Sequence, residues 1–229
     1  MSAPKLFPLG DSITKGTVFG HDDWGYRNHL QDALGIGTFD FVGPYADPAS
    51  SETYEVHHGG VDGDLTSEVD ARAAAQLAAY IGPPNRRNSC VLLHVGTNDA
   101  IQDYGTLTSR VDYTEDIVDK IYANDPYLKM YVALIIPMVN DYPNERVIAF
   151  NSALNTRLVD KKAANPSLRV NIVDMYTAYQ DNPDWKTELM YDDLHPNDAG
   201  YVVMANEWYD SIAANSTTAK PPMTVANFY

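Results

Sequence analysis

Short apolar runs alternate along this chain with longer stretches in which apolar residues recur at helical spacing. Strands separated by amphipathic helices are joined by crossovers, which makes them parallel neighbours in one sheet. Two of the runs are apolar almost throughout, as strands buried on both faces are. The strand candidates are Lys5 to Leu9, Phe39 to Val42, Cys90 to Val95, Met130 to Ile136 and Val170 to Val173. The pattern predicts an α/β fold with a parallel sheet wrapped by helices.

Four apolar stripes with helical spacing lie between or after these runs, and we interpret them as faces that pack against the core. Ser109 is a candidate N-cap for the second stripe, and the fourth opens after Pro196 and Asn197. The stripes are Leu65, Val69, Ala73 and Leu77; Val111, Thr114, Val118 and Ile121; Val147, Phe150, Leu154 and Leu158; and Tyr201, Ala205, Trp208 and Ile212.

The bulk properties narrow the classes of partner. The 229 residues suffice for one α/β domain with a sizeable core. A net charge of -15 repels phosphate backbones and anionic lipid, so we expect neither nucleic acid nor a membrane surface as partner. No apolar run is long enough to span a bilayer. Cys90 is the only cysteine, and its apolar neighbours predict a buried thiol rather than a reactive one. A neutral substrate fits this chain best.

The segment Gly10-Asp11-Ser12 directly follows the first strand candidate. Ligands of open α/β sheets bind beyond the carboxyl ends of the strands, so Ser12 lies at the edge where a site would form. Gly10 permits a tight exit from the strand, and we expect the Asp11 carboxylate to bond nearby backbone. Taken alone, the segment is equally typical of a turn in which Ser12 caps a helix.

A second polar segment, Asp192-Asp193-Leu194-His195-Pro196, lies near the other end of the chain. A carboxylate three residues before a histidine can accept the proton on one imidazole nitrogen, which leaves the other nitrogen to act as a base. The spacing favours Asp192, with Asp193 as the alternative. A surface histidine with incidental acidic neighbours is the competing interpretation.

Two further segments offer hydrogen-bond donors for the negative oxygen that develops during acyl transfer. Asn98, in Gly96-Thr97-Asn98-Asp99, follows the third strand candidate with its side-chain amide. Gly60 lies in the glycine-rich stretch His58 to Asp64, which we predict to be a loop, and its backbone N–H is the second candidate donor. The N–H of Ser12 is the third. Neither stretch matches a phosphate-binding glycine pattern.

Taken together and in this order, the four segments resemble the blocks of the SGNH (GDSL-like) hydrolase family. The resemblance covers residues 5 to about 212. It implies a three-layer α/β/α sandwich with a five-stranded parallel sheet, with Ser12, His195 and Asp192 as catalytic triad. It also implies an oxyanion hole built from Ser12, Gly60 and Asn98. Ile13 stands where the family's spelling has Leu, and His58-Gly59 stand where many members have an Asn-Arg-like pair.

Within the family, Pro8 to Gly16 looks most like carbohydrate esterase family three, and Gly25-Tyr26-Arg27 and Phe41-Val42-Gly43 point the same way. This likeness implies an acetyl xylan esterase that removes acetyl groups from acetylated polysaccharide or oligosaccharide. It also implies a secreted enzyme, although Met1 to Lys5 does not read as the start of a signal peptide. Some relatives carry a structural calcium, but no loop here spells a metal site, and we expect neither metal nor cofactor.

We expect a monomer with one catalytic domain over residues 1–214 and a tail over residues 215–229, where Asn215-Ser216-Thr217 is a glycosylation pattern. The aromatic residues Trp24, Tyr104, Tyr142 and Tyr191 are candidates for stacking on sugar rings. Two alternatives remain open at this stage. One is a short-chain lipid esterase or thioesterase that uses the same residues, and the other is a carbohydrate-binding protein without catalysis.

Overall fold

A sheet of mostly parallel strands forms the centre of the computed structural model, which describes residues 3–17, 24–82 and 89–215. The predicted tail lies outside the described residues except for Asn215. The strands are β1 Lys5–Gly10, β2 Asp40–Phe41, β3 Tyr45–Ala46, β4 His57–Gly60, β5 Cys90–His94, β6 Lys129–Leu134 and β7 Val170–Asp174. The predicted α/β class is confirmed.

Nine α-helices connect these strands within the described residues, and a π-helical turn over Leu77–Ile81 extends the third of them. The helices are α1 Ser12–Lys15, α2 Arg27–Leu34, α3 Thr66–Gln76, α4 Thr97–Gln102, α5 Leu107–Asn124, α6 Asp141–Ala164, α7 Met175–Gln180, α8 Trp185–Glu188 and α9 Asp198–Ala214. Three of the four predicted stripes lie wholly on α-helices, and the first runs from the N-cap Leu65 through α3 into the π-helical turn. The predicted cap is wrong, however: Thr106 caps α5, and its side chain accepts from the N–H of Ser109.

The strand order is β3-β4-β1-β5-β6-β7, with β2 also paired to β1. Because β5 pairs along the whole of β1, strands β2 and β4 share the other side of β1. Strand β2 pairs with the beginning of β1, and β4 pairs with the end of β1. Every pair is parallel except β3 with β4.

The predicted number of strands, five, is two too low, because β3 and β4 were not predicted. Strand β3 has only two residues, and β4 lies in the glycine-rich stretch that we predicted to be a loop. Gly59 has a packing reason to lie in a strand, because a Cβ atom there would be 2.6 Å from the Phe7 ring. Glycine is disfavoured in strands on average, so the composition of this segment hides a close approach between neighbouring strands.

The sheet divides the core into two apolar clusters, one on each face. Helices α2 and α9 pack on one face around the buried Trp208, and α3, α5 and α6 pack on the other around Phe150. Cys90 is buried in β5, and burial raises the pKa of its thiol to about 12, as the predicted inert role requires. Among the described residues, no helix is both long and apolar enough to cross a bilayer.

Candidate active site

The nucleophile candidate Ser12 is the first residue of α1, directly beyond the end of β1. Asp11 caps this helix, and its Oδ1 accepts from the N–H of Ile13 at 3.0 Å, as predicted. Gly10 is required for the turn, since a Cβ atom there would lie 2.1 Å from the His94 carbonyl oxygen. The turn therefore presents Ser12 at the carboxyl edge of the sheet with 5% of its surface exposed.

Ser12 and His195 are in hydrogen-bond contact although 183 positions separate them in the chain. The distance from Ser12 Oγ to His195 Nε2 is 2.9 Å. Only 15% of the imidazole side chain is exposed, so little water competes for this contact. The structure thus brings a hydroxyl and a potential proton acceptor within the reach that proton transfer requires.

The carboxylate of Asp192 occupies the other side of the His195 ring, with 2.9 Å between Oδ2 and Nδ1. Its Oδ1 accepts from the backbone N–H groups of Leu194 at 2.8 Å and His195 at 2.7 Å. Partial burial acts to raise the pKa of Asp192, but these backbone bonds and the imidazole outweigh it and lower the pKa below its ordinary value. Asp192 is therefore held as the anion.

The alternative carboxylate, Asp193, binds a partner other than the imidazole. Its Oδ2 accepts from the side-chain amide of Asn140 at 2.7 Å, and its carbonyl accepts from the N–H of Val139. Asp193 thus ties the histidine loop to the segment that leads into α6. The spacing argument that favoured Asp192 agrees with this geometry.

The histidine loop is closed by a short bridge between Met190 and Pro196. Asn197 then caps α9 by accepting from the N–H of Gly200 at 3.0 Å. A Cβ atom on Gly200 would lie 2.2 Å from the Leu189 carbonyl oxygen, so the helix packs closely on the chain that precedes the loop. These local bonds fix His195 relative to α9 rather than leaving it on a free surface loop.

Asn98, in the first turn of α4, is 7% exposed. Its Nδ2 donates to the carbonyl oxygen of Asp64 at 3.0 Å, which leaves one amide hydrogen for another acceptor. The next residue, Asp99, binds both the N–H and the hydroxyl of Thr66 at the start of α3, at 2.9 and 2.7 Å. Asp99 therefore fixes α4 against α3, a structural role that sequence reasoning did not identify.

Gly60 was predicted as an oxyanion donor, but its N–H already donates to Nδ1 of the buried His58 at 3.0 Å. The predicted role of Gly60 would require this bond to open. The nearby Gly63 is exposed, has φ of +80°, and makes no backbone hydrogen bond among the described residues. It lies between Asp62, which binds Lys15 Nζ at 2.7 Å, and Asp64, which accepts from Asn98. Sequence reasoning did not select Gly63 as a donor, and the available signal was that this residue is a glycine.

Asp11 is a second buried acid beside the nucleophile. Burial raises its pKa to about 7, against the lowering effect of the Ile13 N–H, and the carboxylates of Asp99 and Asp64 add to the increase. Its Oδ2 has no hydrogen-bond partner among the described residues. A buried carboxylate without a partner on one oxygen is costly, which is the physical cause of this high pKa.

Three of the four aromatic candidates for sugar contact expose large parts of their side chains. Tyr142 is 68% exposed, and the guanidinium of Arg146 lies 4.3 Å from its ring centroid. Tyr104 and Tyr191 are also exposed, whereas Trp24 packs edge-on against Tyr54.

In the part of the chain that the structure describes, no group of three or more His, Cys, Asp or Glu residues is arranged to hold a metal ion.

A three-layer α/β fold with a serine, a histidine and an aspartate in contact at the carboxyl edge of its sheet is an arrangement found in ester hydrolases. The model of the GDSL-like Lipase/Acylhydrolase family matches residues 9–203, and the chain belongs to this family of esterases and acylhydrolases. The resemblance noted in the sequence is thereby confirmed.

A multidomain esterase of Ruminococcus flavefaciens is 28% identical over 91% of this chain. The match spans only 28% of that relative's length. Two solved structures share the fold with TM-scores of 0.74 and 22% identity over 93% of this chain. One is a mutant acetyl esterase with acetate ion, covered over its full length (100%). The other is a carbohydrate esterase family 3 protein from Talaromyces cellulolyticus, of which 97% is covered.

Proposed function

We propose that this chain is a serine esterase that removes acetyl groups from acetylated carbohydrate of the xylan type. The observation that carries the proposal is the continuous contact from Ser12 through His195 to Asp192, with 2.9 Å at each step. Each group has the partner that its role in acyl transfer needs: a hydroxyl, a base and an orienting anion.

In the proposed mechanism, His195 Nε2 accepts the proton of Ser12 while Oγ attacks the ester carbonyl carbon. The Asp192 carboxylate holds the proton on Nδ1 and stabilises the imidazolium that forms. The protonated His195 then donates to the leaving sugar oxygen, and the acyl group stays on Ser12. A water molecule, deprotonated by His195, then attacks the carbonyl carbon of this acyl-enzyme. The bond to Oγ breaks, His195 returns the proton to Ser12, and acetate is released. The cycle needs no metal or cofactor.

The negative oxygen of the tetrahedral intermediate would bind to the N–H of Ser12 and to the second hydrogen of the Asn98 amide. The N–H of Ser12 begins a helix and therefore has no partner within it. Gly63 supplies the glycine donor in this proposal in preference to Gly60, because the N–H of Gly60 is bound to His58. The bonds of Asp62 and Asp64 hold the Gly63 backbone between α1 and Asn98.

The acetylated-carbohydrate substrate is supported by the likeness of the fold to an acetyl esterase and to a carbohydrate esterase family 3 protein. A net charge of -15 is compatible with a neutral glycan and opposes an anionic lipid surface. Tyr104, Tyr142 and Tyr191 offer exposed rings of the kind that stack on sugars. We also propose that the enzyme acts as a monomer and is secreted, since polymeric xylan lies outside the cell.

The serine mechanism is tested with Ser12→Ala. Turnover of an activated acetyl ester should fall at least about ten-thousandfold, because no other nucleophile replaces Oγ. Circular dichroism and the thermal unfolding midpoint serve as folding controls. Turnover close to that of the unchanged enzyme would exclude Ser12 as the nucleophile.

The substrate class is tested by comparing acetyl, butyryl and octanoyl esters, together with acetate release from acetylated xylan. The proposal expects the highest kcat/KM for acetyl esters and measurable acetate from the polymer. A strong preference for octanoyl esters would instead identify a lipid esterase or thioesterase with the same catalytic residues. Oligosaccharide binding without hydrolysis of any ester would favour the binding-protein alternative.

A further inference from the structure

Away from the triad, the described part of the chain contains a contact between Asp47 and His58, a histidine of strand β4. The His58 side chain is fully buried at 0% exposure, and Asp47 Oδ2 lies 3.1 Å from its Nε2. Its other nitrogen, Nδ1, is 3.0 Å from the N–H of Gly60. Since a backbone N–H can only donate, Nδ1 must be unprotonated and Nε2 must carry the hydrogen that Asp47 accepts. The contacts fix a single neutral tautomer.

Burial keeps this imidazole neutral, and the neighbouring cations add to the effect. Burial lowers the pKa of His58 to about 2, and the nearby cations Arg27, Lys15 and Arg72 and the neighbouring His57 act in the same direction. A ring that stays neutral throughout the working pH range keeps Nδ1 permanently available as an acceptor. His58 is therefore suited to hold a fixed hydrogen bond rather than to transfer protons.

The short strand β3 explains how Asp47 reaches His58. Strand β3 runs antiparallel to β4 with Tyr45 opposite His58, which brings the next residues of the chain alongside the imidazole. The guanidinium of the buried Arg27 donates to the backbone carbonyl of Asp47 and also, at 2.7 Å, to that of Thr14 in α1. The pair is thus tied to the helix that begins with Ser12.

Gly60, whose N–H donates to His58, packs too closely against the turn that carries Ser12 to admit a side chain. It pairs with Gly10, and a Cβ atom on Gly60 would lie 2.7 Å from the Asp11 carbonyl oxygen and 2.5 Å from the Lys15 nitrogen. The chain that follows includes Asp64, whose carbonyl accepts from Asn98. The position of Gly60 therefore sets the geometry of the nucleophile turn on one side and of the Asn98 amide on the other.

We propose that the buried His58, oriented by Asp47, is a positioning residue for the esterase reaction: it holds the Gly60 N–H and thereby fixes the oxyanion side of the site. This inference rests on the proposed serine esterase function. His58 and Asp47 act through the backbone of β4 and do not touch the reacting atoms. Their loss should reduce kcat more than it changes KM, because the donors serve the transition state.

Two isosteric substitutions separate the two nitrogens of His58. His58→Asn places Oδ1 near the position of Nδ1 and can still accept from Gly60. His58→Gln places its amide near Nε2 and retains only the contact with Asp47. His57→Gln is the matched control, since His57 is exposed on the opposite face of the same strand. The probe is 4-nitrophenyl acetate, with kcat and KM measured separately, and the Gly60 amide is followed by NMR hydrogen exchange.

We expect His58→Gln to lose about tenfold or more in kcat with KM changed less than about twofold, and His58→Asn to recover most of kcat. The Gly60 amide should exchange slowly in the unchanged enzyme and in His58→Asn, and at least about tenfold faster in His58→Gln. The His57→Gln control should match the unchanged enzyme.

Equal kcat in all variants, a loss confined to KM, or equal losses in His58→Asn and His58→Gln would overturn the positioning role. The exchange measurement separates this failure from failure of the proposed function. If the unchanged enzyme hydrolyses no ester, the esterase proposal fails, while Gly60 protection that follows the Asn and Gln pattern still supports the hydrogen bond. Unchanged Gly60 exchange in His58→Gln overturns the inference even in an active enzyme.

Discussion

The two pairs Asp192–His195 and Asp47–His58 contain the same chemical groups in different surroundings. The imidazole of His195 is 15% exposed and faces the Ser12 hydroxyl, which can give up a proton. That of His58 is fully buried and faces the backbone N–H of Gly60, which cannot. An aspartate orients the histidine in both pairs. Whether that histidine transfers a proton or holds a fixed hydrogen bond therefore depends on the partner of its second ring nitrogen and on its access to solvent.

The largest effect should come from removing the base of the Asp192–His195 pair. His195→Gln should reduce kcat at least about ten-thousandfold, since the Ser12 proton then has no acceptor. The corresponding His58→Gln change should be about a thousandfold milder. Steady-state kinetics on the same acetyl ester provide the comparison, and losses of similar size would mean that the two histidines do not differ in role as we describe.

The two carboxylates should differ in the same way. Asp192→Asn removes the anion that stabilises the imidazolium, and a loss of roughly a thousandfold to ten-thousandfold in kcat is expected. Asp47→Asn keeps an oxygen that can accept from Nε2 and should cost less than about tenfold. Because Asp192 has a lowered pKa, its carboxylate stays charged at neutral pH and is lost only as the pH falls through that lowered value. An NMR titration of the Asp192 side-chain carboxyl that gives a pKa below the ordinary value of 3.8 would agree with this assignment.

Asn98 is connected to both pairs. It is a proposed oxyanion donor for the reaction at Ser12, and its amide binds Asp64, which follows Gly60 in the chain. Asn98→Ala removes an oxyanion donor and the bond to Asp64, and kcat should fall on the order of a hundredfold to a thousandfold. Substrate affinity should change little. The measurement is the split between kcat and KM, and an effect on KM alone would remove Asn98 from the oxyanion role.

For the free energy of unfolding, His58 should matter more than His195, the reverse of their order in kcat. His58→Leu leaves the Gly60 N–H and the Asp47 carboxylate without their buried partner and should lower the free energy of unfolding by about 1–3 kcal/mol. His195→Leu, on a partly exposed loop, should change it by less than about 0.5 kcal/mol. Urea unfolding at neutral pH tests both, and equal destabilisation would contradict the division of roles.

The smallest effect concerns Asp11, whose pKa is raised to about 7 from an ordinary value of 3.8. The folded state then binds a proton more tightly than the unfolded chain, so this residue's stabilisation is present at low pH and is lost as the pH rises towards 7. Between pH 5.5 and 8 the melting temperature of the unchanged enzyme should fall about 4–8 °C more than that of Asp11→Asn. Identical slopes for the two proteins would exclude a raised pKa at Asp11.

The sequence was informative where chemistry is local or follows the strand order. Asp192 and His195 are three residues apart, and Ser12 and Asn98 each follow a strongly apolar strand, so parallel topology places them at one edge. Strand β4 and the bond from Gly60 to His58 were missed. The contact between His58 and Asp47 was missed as well, because it depends on the two-residue strand β3, which has no periodic pattern to detect.

The arrangement of Ser12 at the first helix and His195 just before α9 has a consequence for biosynthesis. During translation the nucleophile leaves the ribosome long before its base, and His195 reaches it only after α9 has docked against α2. Nascent or truncated chains that lack the last helix should be unable to cleave esters. Hydrolytic activity is thus a readout of completed tertiary assembly.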